Sequence, residues 1–459
     1  AQAPRARQGG EEVPGSPASW PRARRPGASD RGQPSPPPAG AAMSSQPLIN
    51  KRPRAEEDGA GSTIAATVVN LLKNMVGAGL LNVCIAFQYA SVVGGTLVMM
   101  YSAFVCTAGF LVIGYCCSKT GARTFRDLWR TSLGSSSEKA VDVALFFHTL
   151  FSCVGYITMI GDFSVKSAEG LLPGTVLAER REVSICLITV LAIFPLCLYK
   201  KLDSLKHTSV IGLAITAVSC AYIFYEVCAN AEAVGAVGTL KDHMWYVKLD
   251  MFKTLALFNG SFSAHYNAPT YYAELKDKSF VSYAKVTMWA FAIATVLFTA
   301  FGLAGFARFG DEVLGNVLKS YSPDDPMIQL SWFFMMVSTV FNFPHAFLRM
   351  RASFNALLNK GPHAHFLPTT IGLLGASLYM GVAFTDIAVI KMIKGATLGV
   401  SIMFIFPACF YLSLSGPGKK LNTRVSAGQM QFLRVLCWVM MVTGFVQGVL
   451  AILVHYKVL

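Results

Sequence analysis

Charge is scarce in this chain of 459 residues: Asp, Glu, Lys and Arg supply only 14% of it, against roughly 25% in an ordinary soluble domain. With 53% hydrophobic residues and a mean hydropathy of +0.48, the shortage excludes a soluble enzyme and makes lipid the expected solvent. Enzyme and pump signatures are missing too. There is no Gly-x-x-x-x-Gly-Lys-Ser/Thr to cradle ATP phosphates, no His-Glu-x-x-His and no Cys-x-x-Cys. His363 and His365 form an i, i+2 pair, too few ligands for a metal, so no cofactor is expected beyond a coupling Na+ or H+. Cysteine is absent from the stretches between apolar runs. All eleven cysteines, Cys84, Cys153, Cys186 and Cys409 among them, sit in or at the ends of such runs and read as small packing hydrophobes. A net charge of +14 points to no nucleic acid, because the basic residues punctuate apolar segments instead of gathering on one soluble face.

The ends of the chain differ from its middle. Residues 1–60 form a Pro/Arg-rich leader expected to be disordered: the first 42 residues hold 9 of the 21 prolines, six Arg and three acids, with no apolar periodicity. Met43 is the first methionine and the expected translation start, a genuine longer cytosolic tail being the other reading.

About 20 apolar residues cross a bilayer as a helix. Eleven runs approach that length, at 63–88, 91–117, 141–161, 183–199, 207–229, 252–273, 283–306, 327–347, 366–384, 395–414 and 432–455. The expected fold is an all-α membrane protein with a ten-helix core at 61–414 and an eleventh helix within 415–459. If the N-terminus is cytosolic, inner segments carry 21 Lys and Arg and outer segments 11, Lys391 and Lys394 counted among the outer ones. That bias sets the orientation.

Two of the runs are interrupted. The first holds Gly77-Ala78-Gly79 at mid-span beside Asn74, which weakens a helix where lipid offers no water to an opened backbone; close helix packing is the other use of such small residues. The sixth packs Asn259-Gly260-Ser261 through His265 to Pro269 into its centre. Interruptions five spans apart are the mark of a five-plus-five inverted repeat, here 61–229 and 251–414, whose broken helices build a midplane substrate site. Half-helix N–H groups attract a carboxylate and exposed carbonyls an ammonium, so a zwitterionic amino acid suits both. Gly77, Ala78 and Gly79 are expected at the carboxylate; Asn259, Gly260 and Ser261 are expected at the α-amino group and side chain. His265, a membrane histidine, is a candidate to carry or sense a proton, and His148 a packing residue.

The sixth span with its exit Tyr272-Ala273-Glu274-Leu275-Lys276 resembles the amino acid/auxin permease family, nearest its sodium-coupled neutral amino acid and vesicular or lysosomal branches. Gly155-Tyr156, Ile160-Gly161-Asp162, Pro195-Leu196, Lys201-Leu202-Asp203-Ser204-Leu205, Phe343-Pro344 with Arg351, and Phe406-Pro407 follow in family order. The resemblance implies a leucine-transporter-type fold and secondary active transport of neutral amino acids through a plasma or lysosomal/vacuolar membrane. It also implies a sodium site shared by Asn74 with Ser338, Thr339 and Asn342, although the family's threonine aligns at Asn342, which leaves Na+ and H+ both open. Glu274 and Lys276 are expected to form a gate or structural clamp. The reading from another class is an amino acid sensor of the same fold that signals with little transport.

Overall fold

An apolar segment in lipid must satisfy its own backbone, and helices do so with local hydrogen bonds. The structure, a computed structural model, describes residues 61–199, 206–232, 234–322, 325–361, 364–416, 418 and 426–458, with backbone alone at 77–78, 206–213, 215–216 and 219. The 1–60 leader with Met43, residues 200–205 with Asp203, and His363 lie outside the described residues. Among those described there is no β-strand, only one parallel bridge between Ser62 and Leu275.

Helix α1 (Ile64–Gly79) starts on Thr63, whose hydroxyl accepts from the Ala66 N–H, and passes through a 3₁₀ turn at Leu80–Asn82 into α2 (Val83–Ala90). Next come α3 (Val92–Thr120), closed by Gly121 at φ 71° where a left-handed turn favours glycine, then α4 (Phe125–Leu133) and α5 (Glu138–Leu171). The short α6 (Val176–Glu179), α7 (Arg181–Ile188) and α8 (Phe194–Cys197) precede α9 (Lys206–Ala229) and α10 (Ala236–Asp242). The sixth span divides into α11 (Met251–Ser261) and α12 (Ala268–Glu274), followed by the long α13 (Phe280–Phe309) and α14 (Pro326–Leu357). Then come α15 (Phe366–Ala383), α16 (Ile387–Lys394), two π-helical turns at Gly395–Gly399 and Ser401–Ile405, α17 (Phe406–Leu414) and α18 (Ala427–His455).

Helical segments therefore fall at each of the eleven expected positions, but fewer are unbroken. Among the described residues seven helices are long and apolar enough to cross a bilayer, or eight if the bent pair α1–α2 counts as one span. The fourth run is cut by a π turn at Thr189–Ile193 beside Pro195 and the sixth by the α11–α12 gap, while of the fifth, described in its first half mainly by backbone, Cys220–Ala229 is a shorter apolar helix. Large apolar side chains stand out from the bundle, Phe104 at 65% and Tyr379 at 78% exposure among them, a surface suited to lipid contact.

One boundary needs correcting, with consequences. The tenth span begins at Ile387, not 395, because Asp386 caps α16 through the N–H groups of Ala388 and Val389 and the helix runs on to Leu414. Lys391 and Lys394 consequently belong to the span and not to an outer loop. Removing these two lowers the outer count from 11 to 9, and the charge bias sharpens.

The apolar interior falls into two main clusters. One joins α1, α2, α3, α11 and α13 through Leu71, Phe87, Phe110, Phe258, Phe291 and Phe298. The other joins α5, α7, α14 and α15 through Ile157, Ile185, Phe343, Phe347 and Leu373. Helix α16 contributes to both, Met392 to the first and Ile390 to the second. Arg351 pins the second cluster: fully buried, it donates to the Cys197 carbonyl at 3.0 Å and the Thr370 hydroxyl at 2.8 Å.

Candidate functional site

The two interruptions differ in kind. The first span turns by 42° between Ile64–Val76 and Leu80–Ala90, so the bend falls on Gly77, Ala78 and Gly79. Gly79 and Leu80 both keep right-handed helical angles (φ −66°, ψ −38°), and the Leu80 N–H still donates to Val76. Here the expected opened backbone is a bend: that amide is spent inside the helix and not held out to a ligand. In the sixth span the helix stops. Phe262 closes the last turn on Phe258, residues 262–264 leave helical pairing, and Pro269 sits in the first turn of α12, where a missing N–H costs nothing. A helix end of this kind leaves main-chain carbonyls at the C-terminus of α11 without an intrahelical donor.

The interruptions meet. Gly79 packs against Ser261, and the Ser261 hydroxyl lies 3.1 Å from the Gly79 carbonyl and 3.0 Å from that of Leu257. Beside this contact is a cavity of about 50 Å³ lined by Asn74, Met75 and Gly79 of the first span and by Gly260, Ser261, Ser263 and Tyr266 of the sixth. Phe151, Ser152, Gly155 and Tyr156 of α5 and Ile387, Lys391 and Lys394 of the tenth span complete it. The cavity thus has walls from both apolar clusters, Met75 on one side and Val154's neighbours Gly155 and Tyr156 on the other.

Of the residues expected at the site, Asn74, Gly79, Gly260 and Ser261 line this cavity. Asn259 is fully buried behind it, its side-chain oxygen 3.8 Å from Cys106 Sγ and its amide nitrogen without a partner among the described residues. Both ends of the Asn74 carboxamide are engaged: its oxygen accepts from Tyr266 at 3.1 Å, and its nitrogen donates to Tyr271 at 3.3 Å. Ser338 and Thr339 are buried on α14, Thr339 donating to Met335 of its own helix, and Asn342 is partly exposed; none of the three lines the cavity. His265 does not line it either. Its Nε2 donates to the Cys106 carbonyl at 2.7 Å, and its ring packs edge-on to Phe110 and Phe291. His148, expected as a packing residue, does pack against Tyr266 and also places Nε2 3.3 Å from the hydroxyl of the cavity residue Ser263. At the exit of the sixth span the backbone of Glu274 and Lys276 clasps Ser62: the Ser62 N–H donates to Glu274 at 2.8 Å and the Lys276 N–H to Ser62 at 3.1 Å.

The lysines are what sequence reading missed. Lys394 Nζ donates to Ser152 at 2.9 Å, while Lys391 is 9% exposed and its Nζ finds no hydrogen-bond partner among the described residues. The available signal was Asp386, an N-cap residue directly before an apolar run. Asn, Ser and Tyr groups together with two lysine amines give this small cavity a polar, hydrogen-bonding lining.

A bundle of apolar helices enclosing a polar cavity at two interrupted spans is the construction of a membrane transporter. Residues 60–454 match the family model described as transmembrane amino acid transporter protein, and the chain belongs to that family, one of transporters and not of enzymes. Its relatives include the human solute carrier family 38 member 8, 26% identical over 75% of this chain and 84% of that one. Vacuolar amino acid transporter 7 of Saccharomyces cerevisiae is 27% identical over 65% of this chain and 60% of its own length. Sodium-coupled neutral amino acid transporter 7 of Danio rerio is 25% identical over 64% of each.

Proposed function

We propose that the chain is a secondary transporter that moves a neutral amino acid across a membrane by alternating access, driven by a Na+ or H+ gradient. The observation that carries this reading is the cavity walled jointly by Gly79 of the bent first span and by Gly260 and Ser261 of the broken sixth. In this proposal the substrate ammonium meets the free carbonyls at the end of α11, with Ser261 and Asn74 as polar contacts. The two repeats, 61–229 and 251–414, give a leucine-transporter-type core of ten helices, α18 being the eleventh. The first and sixth spans rock against a scaffold of α5 and α14, the boundary between the two apolar clusters serving as the sliding surface. The N-terminus is cytosolic, in a plasma or lysosomal/vacuolar membrane.

The coupling ion has two routes. Na+ ligation by Asn74 with Ser338, Thr339 and Asn342 requires the Tyr266–Asn74 hydrogen bond to open. A proton route runs through His148 at Ser263, with His265 held off the cavity by Cys106. Uptake of labelled amino acids into proteoliposomes, with Na+ and H+ gradients imposed separately, tests the reading. Flux driven by one gradient supports it; binding with neither gradient-driven flux nor exchange overturns it in favour of a sensor.

A further inference from the structure

The cavity holds more basic side chains than a neutral amino acid needs. Lys391 and Lys394 stand three residues apart on α16 and both line it, yet no Asp or Glu among the described residues does. The acids of the packed elements are engaged elsewhere. On α5, Asp142 faces Arg126 at 3.4 Å, and Asp162 faces Arg181 at 3.6 Å and Lys319 at 3.4 Å. Beside α11, Asp250 pairs with Lys253, and Asp386 caps α16 itself. A further cation, Arg349, lies 5.9 Å from the ring of the cavity residue Tyr266.

An ammonium group inside a membrane protein is costly unless an anion or a hydrogen-bonding shell compensates it. Lys394 has the Ser152 hydroxyl; the Lys391 nitrogen has nothing among the described residues. A zwitterion's single carboxylate is already matched by its own ammonium. A second carboxylate compensates the lysine.

We propose that Lys391 is a substrate-recognition residue that binds the side-chain carboxylate of a dicarboxylic amino acid, extending the cargo of this cavity from neutral amino acids to aspartate and glutamate. Lys394, held by Ser152, makes no direct contact with the substrate in this proposal. The inference rests on the transport reading, because it concerns the same cavity.

Glutamate and glutamine are near-isosteres that differ in one charge, so they isolate the effect. Proteoliposomes holding the full chain are to be assayed for uptake of each labelled amino acid, in the wild type and in Lys391→Met, with insertion checked by size-exclusion profile. The expected result is saturable glutamate uptake by the wild type. In Lys391→Met, the ratio of kcat/KM for glutamate to that for glutamine falls by about tenfold or more. A wild type that carries glutamine but neither glutamate nor aspartate overturns the proposal, as does a variant in which both substrates lose equally. Failure of every amino acid to move strikes the transport reading instead.

Discussion

The Ser261 hydroxyl sits 3.1 Å from the carbonyl oxygen of Gly79, joining two interrupted spans separated by 182 residues of sequence. Because Leu257 offers a second carbonyl at 3.0 Å, the single hydroxyl proton can leave Gly79 without being stranded, so the contact can part at low cost when the two spans move. Ser261→Ala removes it at a cost of about 1 kcal/mol or less to stability. The larger expected effect is on the conformational balance of the cavity, read as a change in KM greater than any change in melting temperature. An unchanged KM would remove Ser261 from the site.

Gly79 has no room to grow. A Cβ there would lie 3.3 Å from Ser261 Cα and from the Phe298 ring, and the branched methyls of Gly79→Val must displace one of them. Overpacking of this sort costs about 1–3 kcal/mol, and here it falls on the cavity wall. Substrate binding should be lost while the protein still inserts and purifies as a single species. Wild-type uptake by the variant would refute the assignment of the cavity.

Gly395 is a close-approach glycine where the tenth span crosses α11. Its added Cβ would meet the Ala256 carbonyl oxygen at 2.1 Å, and that neighbour is backbone. Gly395→Ala should therefore lower the melting temperature in detergent by several degrees, in line with about 1–3 kcal/mol of strain. A melting curve superimposable on the wild type would show that the two helices are not so close.

Arg351 ties α14 to α8 and α15 by hydrogen bonds to Cys197 and Thr370 and by stacking 4.1 Å over Phe366. Arg351→Leu loses hydrogen bonds made by a charged donor, worth about 1.5–3 kcal/mol each, and Arg351→Lys restores the charge without the planar fork. The expected order of thermal stability is wild type, Lys, Leu. Equal stability of all three would remove Arg351 from the scaffold.

His243, between α10 and α11, supplies the pH dependence. The Thr239 carbonyl at 2.9 Å, then the Asp311 carboxylate at 3.2 Å, raise its pKa above the usual histidine range by favouring the doubly protonated ring. Folding therefore gains stability from this group below the ordinary histidine pKa, and that gain fades as pH climbs through the raised value. Thermal melts of the wild type and Asp311→Asn should differ at pH 5.5 and converge toward pH 8.5, pH values about one to two units either side of that range. A difference that grows with pH would contradict the assignment.

The sequence by itself determined the solvent of this protein and the positions of its helical segments, because long apolar runs in lipid have few alternatives to helix. It also located both interruptions, since Gly77 to Gly79 and Asn259 to Pro269 are residues that an uninterrupted span does not concentrate. What kind of interruption each makes was decided by packing: the first remains a bent helix with its Leu80 amide bonded to Val76, while Pro269 and residues 262–264 open the sixth. Tertiary structure alone decided which polar groups face the cavity. Lys391 and Lys394 read as loop charges because hydropathy sums a segment without regard to direction, and only the contact of α16 with α5 and α11 turns them inward. His265 shows the converse: a titratable residue at the centre of a broken span is drawn off the cavity by the Cys106 carbonyl, a partner 159 residues away in sequence.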